Sequence, residues 1–431
     1  MQWFSLVKNN KLMPTSADNS PIMDISHTKH QARNEQGAET RKFQMAIEGS
    51  PMGASNKPHN RFKQTVEGLF EEANVSINGT RPWDIVVHND RFYQRLLADG
   101  SLGLGESYMD RWWDSEAVDE MVTRLLAAGL GEKIQPRKFL YLFLLAHLMN
   151  PQRKSKAYEV GERHYDLGND LFEHMLDKRM TYTCAYWSGH PTPQGLDQAQ
   201  EAKLDLVCRK LGLKPGQHVL DIGCGWGSFM IYAAEKYGAS ATGVTVSKEQ
   251  VELGRKRAGN LPVTFQLKDY REVNGSYDHV VSLGMFEHVG SRNHRTFMEV
   301  TDRVLRDNGL FLLQIAGRAN AKTLPDPWSG KYIFPNTMIP SLDEIASSTN
   351  GLFVMEDLHN FGADYDKTLL AWHQNFEAAW PVLKNNYSDR FYRMWRYYLL
   401  AAAGISRSRT GQLWQIVFSK KGIPGGYHSI R

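Results

Sequence analysis

The sequence predicts an α/β fold: a doubly wound, mostly parallel sheet preceded by a small, mainly helical domain. Three observations predict it. From Gln217 onward, apolar runs of strand length alternate with stretches of helix length. The first of those runs ends in a glycine-rich turn. Between residues 61 and 150 the apolar spacing is mainly helical. The chain has 431 residues, which suits two or three domains. Hydrophobic residues make up 42% and charged residues 23%, enough to build a core and too ordinary for a fibrous or fully disordered chain. Three cysteines exclude a disulfide scaffold, and the lack of a CxxC pair leaves no structural zinc motif. The cytosol is the expected compartment.

Residues 1–60 are rich in Asn, Ser, Gln, Lys and Pro and read as a disordered or extended segment. Order is expected from about Phe62. Arg81 to Val87 (RPWDIVV) reads as a strand, Asp90 to Ala98 as a helix, and Gly100 to Gly105 as a turn. Glu106 to Leu126, with adjacent Trp112 and Trp113, reads as one amphipathic helix. The second half then alternates. Strands are expected at His218–Gly223, Ala239–Ser247, Val263–Asp269, Tyr277–Met285 and Gly309–Gly317. Helices are expected at Ser228–Tyr237, Lys248–Ala258 and His294–Leu305.

Net charge is +4, but its distribution is uneven. Arg390 to Arg431 holds eight basic residues and no acid; Lys133 to Tyr158 holds six and no acid. The longest apolar run, Phe139 to Met149, has eleven residues, against about 20 for a membrane span. Bracketed by Arg137, Lys138, Arg153, Lys154 and Lys156, it suits a helix lying on an anionic membrane, or equally a buried core helix with solvated ends. Arginines and aromatics interleave from Phe391 to Tyr398. A helix packing its aromatics inward and exposing its arginines explains them better than a nucleic-acid surface does.

The most informative stretch is Val219 to Gly227 (VLDIGCGWG). Glycines at 223, 225 and 227 let the backbone approach a ligand at the carboxyl edge of the first strand. A dinucleotide fingerprint fits poorly: Ser228 stands where its third glycine would be, and no acid ends the second strand. The pattern D-x-G-x-G-x-G instead resembles the S-adenosylmethionine (SAM) turn of class I methyltransferases, which are Rossmann-like. Asp221 would then orient the turn and the ligand's ammonium.

Further motifs narrow this. They are HYDLGNDLF (His164 to Phe172), MTYTCAYW (Met180 to Trp187), DIGCGWGS (Asp221 to Ser228), GVTVSKEQ (Gly243 to Gln250) and KDYRE (Lys268 to Glu272). GMFEHVG (Gly284 to Gly290), DPWSGKYIFP (Asp326 to Pro335), HNFGADYDKTLLAW (His359 to Trp372) and QLWQIVF (Gln412 to Phe418) follow. Together they resemble the cyclopropane-fatty-acyl-phospholipid synthase family, related to the mycolic acid cyclopropane synthases. The resemblance spans residues 75 to 420. It implies a lipid-binding domain at 61–150, a catalytic domain at 151–431 and a homodimer. It also implies a cytoplasmic enzyme that docks on the inner face of an anionic membrane to reach unsaturated phospholipids, with no role for nucleic acid.

The implied reaction adds a methylene from SAM across a cis double bond. It needs near-attack positioning, a dry site for a carbocation and a weak base nearby. Aromatics are dense around the motifs (Tyr182, Tyr186, Trp187, Trp226, Tyr270, Phe286, Tyr365) and suit either cation stabilisation or core packing. By resemblance, Cys184, Glu287, Gln314 and Tyr365 surround a bicarbonate ion that serves as the base. Taken alone, Glu287 has a structural pairing with a nearby arginine as its lesser reading. Where relatives carry His, this chain has Gln314, which cannot shuttle a proton. Where some carry Cys, it has Ala402, so no cysteine chemistry operates there. Cys208 and Cys224 read as structural. The family's SAM contacts carry over to Tyr182, Thr183, Gly223, Gly225, Thr245 and Gln250. Asp269 is placed for the adenine amino group and Tyr270 for the ring. A methyl-branched or hydroxy-methyl product is the alternative outcome of the same chemistry.

Overall fold

The computed structural model describes residues 58–133, 168–187, 195–318, 326–335 and 337–431. The N-terminal extension and the apolar run 139–149 with its basic flanks lie outside the described residues. Pro58–Arg431 forms one compact unit.

Its centre is a seven-stranded sheet. The strands are β3 (His218–Ile222), β4 (Ser240–Thr245), β5 (Val263–Leu267), β6 (Tyr277–Leu283), β7 (Leu305–Arg318), β8 (Val354–Asn360) and β9 (Gly411–Ser419), numbered after a short ribbon described below. Their order is β5-β4-β3-β6-β7-β9-β8. The first five are parallel, as expected, and β9 runs antiparallel between β7 and β8. The chain steps outward from β3 to β5, then returns to β6 on the other side of β3. That reversal opens a crevice beyond the carboxyl end of β3. Val219 and Leu220, successive residues of β3, enter different apolar clusters, so both sheet faces are covered. This explains why Val219 and Leu220, adjacent in the chain, are both apolar.

The helices flanking β4 have local causes. Helix Ser228–Tyr237 opens at Gly227 (φ 82°) and closes on Gly238 (φ 63°), whose N–H bonds the Ala233 carbonyl. Helix Lys248–Ala258 is capped by Ser247, whose hydroxyl accepts from the Gln250 N–H at 3.3 Å.

The region before the sheet departs from expectation in three places. Of RPWDIVV only Val86–Val87 is strand (β1), paired antiparallel with Trp113–Asp114 (β2). Arg81 to Asp84 forms a turn instead, closed by the Asp84 carboxylate, which accepts from Ser76 N at 2.8 Å and Arg81 N at 2.9 Å. The glycine stretch is not a turn. Helix Ser101–Met109 runs through it, because a Cβ at Gly105 would sit 2.4 Å from Trp328 Cδ1 and one at Gly103 2.3 Å from the Arg95 carbonyl. These glycines serve close packing. Finally, the segment expected as one helix breaks after Met109 and resumes at Val118–Ala127. Trp113 in the gap is fully buried and donates from Nε1 to the Leu104 carbonyl at 3.0 Å.

Helices Ala363–Leu383 and Asp389–Arg407 share an apolar core with this region, through Phe92, Trp113, Trp372 and Trp395 among others. Trp395, Tyr397 and Tyr398 are buried as expected, but the arginines beside them are not exposed. Arg393 is buried 3.9 Å over the Tyr108 ring and donates to Asp114 at 2.7 Å; Arg396 pairs with Glu377 at 3.3 Å. The acid-free C-terminal stretch meets acids brought from elsewhere: Arg407 pairs with Asp119 and Asp366, Lys421 with Asp307, Arg431 with Asp357. Among the described residues no helix is long and apolar enough to cross a membrane.

Candidate active site

A solvent-connected cleft of about 1290 Å³ lies at the crevice beyond β3. Nine of the ten residues expected to bind the cofactor line it: Tyr182, Thr183, Asp221, Gly223, Gly225, Thr245, Gln250, Asp269 and Tyr270. Gly227 does not. Its Cβ would meet Phe265 Cζ at 2.3 Å, so it lets the following helix pack on the sheet. Gly223 (φ 86°) lies so close to Met285 that a Cβ would be 2.5 Å from the Met285 Cβ. Thr245 Oγ donates to Gln250 Oε1 at 2.7 Å, presenting the two side chains as one unit. Asp269 accepts from Arg271 N at 2.9 Å and pairs with the Arg271 guanidinium at 2.8 Å.

Asp221 is 2% exposed, and its Oδ1 has no partner among the described residues. Burial pushes its carboxyl up to about 7, opposed by the nearby Lys203 ammonium. Lys203 is itself fully buried, and burial pulls it down to about 8, opposed by Asp177, Cys184 and Asp221. Its Nζ donates to Thr183 Oγ at 2.8 Å. An unsatisfied buried acceptor beside a glycine cradle suits the ammonium end of SAM. Sequence reasoning missed Lys203. The signal was periodicity: Ala199, Lys203 and Val207 fall one turn apart on the buried face of helix Leu196–Leu211, where a lysine is out of place.

A second cavity of about 600 Å³ adjoins the cleft and shares Tyr182, Thr183, Gly284 and His288 with it. Cys184, Glu287, Gln314 and Tyr365 all line it. Four segments far apart in sequence therefore converge on one chamber. Glu287 Oε1 accepts from Ala316 N–H at 2.7 Å, while its Oε2 has no partner among the described residues. Burial pushes its carboxyl up to about 7, with the Ala316 N–H pulling the other way. The Cys184 thiol is fully buried and its pKa is raised by that burial. The Gln314 Nε2 is buried without a partner among the described residues. Tyr182 and Tyr398 join hydroxyls at 3.0 Å, and Tyr398 forms part of the cavity wall. His288, next to Glu287 in the same motif, was not singled out from sequence. Burial lowers it to about 4, so it is neutral at physiological pH, and its Nδ1 lies 2.9 Å from Thr337 Oγ. Tyr270 and Phe286 pack with Phe297 in the sheet core; Trp226 lines the cleft; Tyr186 stacks edge-on against Phe361.

Residues 152–416 match the family described as mycolic acid cyclopropane synthetase. The chain is 49% identical over 376 residues to the cyclopropane-fatty-acyl-phospholipid synthase of Escherichia coli, covering 87% of this chain and 97% of that protein. The chain belongs to the cyclopropane synthase family. Within it, the tuberculostearic acid methyltransferase UfaA1 of Mycobacterium tuberculosis is 33% identical over 356 residues, 78% of this chain and 82% of that one. The solved structure of the mycolic acid cyclopropane synthase CmaA1, complexed with SAH and CTAB, superposes with a TM-score of 0.57 at 29% identity. It covers 61% of this chain and 98% of that one. The fold is that of a class I SAM-dependent methyltransferase.

Proposed function

We propose that the protein adds a methylene from SAM across the cis double bond of unsaturated phospholipid acyl chains, closing a cyclopropane ring. The convergence of Cys184, Glu287, Gln314 and Tyr365 on one chamber beside the cofactor cleft carries this reading. Tyr182, Thr183, Asp221, Gly223, Gly225, Thr245, Gln250, Asp269 and Tyr270 would hold SAM. When bound, SAM supplies a methyl group on a positively charged sulfur, an electrophile that an alkene can attack. The chamber's task is to take one proton from the methylated chain. Cys184, Glu287, Gln314 and Tyr365 would hold a bicarbonate ion there as the base. Glu287 then accepts a hydrogen bond at Oε2, which orients the ion and raises its basicity. The rings of Tyr182 and Tyr398 wall the chamber and exclude water from the cationic chain.

The same reading takes the protein as a cytoplasmic homodimer that docks on anionic bilayers through the basic-flanked run 139–149. Vesicle binding then weakens as salt rises; binding indifferent to salt and lipid charge defeats the docking. The similarity to UfaA1, a protein named as a tuberculostearic acid methyltransferase, keeps a methyl-branched product as the second reading. Mass spectrometry of lipids incubated with labelled SAM, with and without bicarbonate, decides between them. A product that gains CH2 and loses its alkene supports the ring. A gain of two further hydrogens, or of water, supports the alternative.

A further inference from the structure

We infer that Gln415 is a positioning residue for the smaller cavity, turning the Gln314 amide so that its Nε2–H donates to a bound oxyanion. The inference rests on the anion reading above. Gln314 on β7 and Gln415 on β9 are cross-strand partners. They are 1% and 0% exposed. Gln415 Nε2 donates to Gln314 Oε1 at 2.9 Å. That bond occupies the acceptor end of Gln314 and leaves its donor end, Nε2, buried without a partner among the described residues, in a residue that lines the chamber. The Oε2 of Glu287, across the same chamber, is also without one. A donor and an acceptor left open together match an ion that carries both charged oxygens and a hydroxyl.

An amide has two ends of opposite polarity. Turned by half a rotation, Gln314 would present its carbonyl oxygen to the same place and repel an anion. A histidine ring there can carry positive charge; Gln314 cannot, so it favours an anion only when its Nε2 end faces the chamber. Gln415 does not line the chamber and acts through Gln314. Its backbone is fixed on both sides, opposite Gln314 on β7 and His359 on β8, and its own Oε1 is buried with no partner among the described residues, so the two amides orient each other through this one bond.

The test measures turnover against bicarbonate concentration in buffer stripped of carbon dioxide, for Gln415→Met and Gln415→Glu. SAM affinity is followed by calorimetry and folding by thermal melting. Methionine removes the bond while keeping the volume. Ionised glutamate can only accept, so it takes Nε2 and turns the wrong end of Gln314 inward. The half-saturating bicarbonate concentration is expected to rise about tenfold in Gln415→Met and further in Gln415→Glu, the loss of one hydrogen bond to a charged group. SAM affinity is expected to hold within about twofold, and turnover of Gln415→Met at saturating bicarbonate to recover. A merely structural role would lower turnover at every bicarbonate concentration. An unshifted half-saturation in either folded variant overturns the inference alone. A wild-type protein indifferent to bicarbonate overturns the anion reading and the inference with it.

Discussion

The cofactor cleft and the chamber beside it each hold a carboxyl that burial pushes up to about 7, Asp221 in the first and Glu287 in the second. Their settings differ. Asp221 has a buried cation nearby in Lys203. Glu287 is pulled down only by backbone N–H groups. The cleft is thus a site with its counter-charge built in, suited to hold a zwitterionic ligand. The chamber is a site whose proton is loosely committed, suited to proton traffic.

The sharpest way to break this contrast is to neutralise each acid in turn. Glu287→Gln should lower turnover by about 10²- to 10⁴-fold with SAM affinity nearly unchanged. Asp221→Asn should weaken SAM binding, by about tenfold or more. Steady-state kinetics with calorimetry checks both, and an unchanged rate in Glu287→Gln would remove the base-site assignment.

Stability should follow the same contrast. The carboxyl of Glu287 is raised from 4.5 to about 7 on folding, so the folded state binds more protons than the unfolded one between those values. Stability therefore falls as pH rises through that window, by on the order of 3 kcal/mol. Glu287→Gln should melt higher than wild type at pH 8, with the gain vanishing near pH 4. Asp221→Asn should gain less, because Lys203 then loses a counter-charge.

Tyr365→Phe deletes one hydroxyl at the chamber and should cut turnover about tenfold or more while sparing SAM affinity. The smallest effect is expected at Ala402, which lines neither cavity. Ala402→Cys should leave turnover within about twofold of wild type, and a large change would place chemistry where the contrast has none.

The glycine turn of the cleft was readable from sequence because its parts are local, whereas Tyr182, Thr183, Thr245 and Gln250 came from the resemblance. A strand, three glycines and the acid before them sit within Val219 to Gly227, and backbone geometry follows from residue type. The parallel strands and their helices were readable for the same reason. The chamber was not readable from spacing. Cys184, Glu287, Gln314 and Tyr365 come from separate elements, and only resemblance grouped them. The N-terminal helices misled because Gly103 and Gly105 are there for tertiary contact with Arg95 and Trp328, which no local pattern records. Gln415 and Lys203 share that character: polar side chains in positions spaced like core.

Gly284 borders both compartments, with φ 77° and room for a Cβ only 2.8 Å from Thr183 Cγ2. On the proposed function, the carbon that arrives as the cofactor's methyl is the one that then loses a proton, so both compartments would have to open on the same point of the acyl chain. A side chain grafted at Gly284 would press on Thr183, which also lines both compartments, and would narrow the place where they meet.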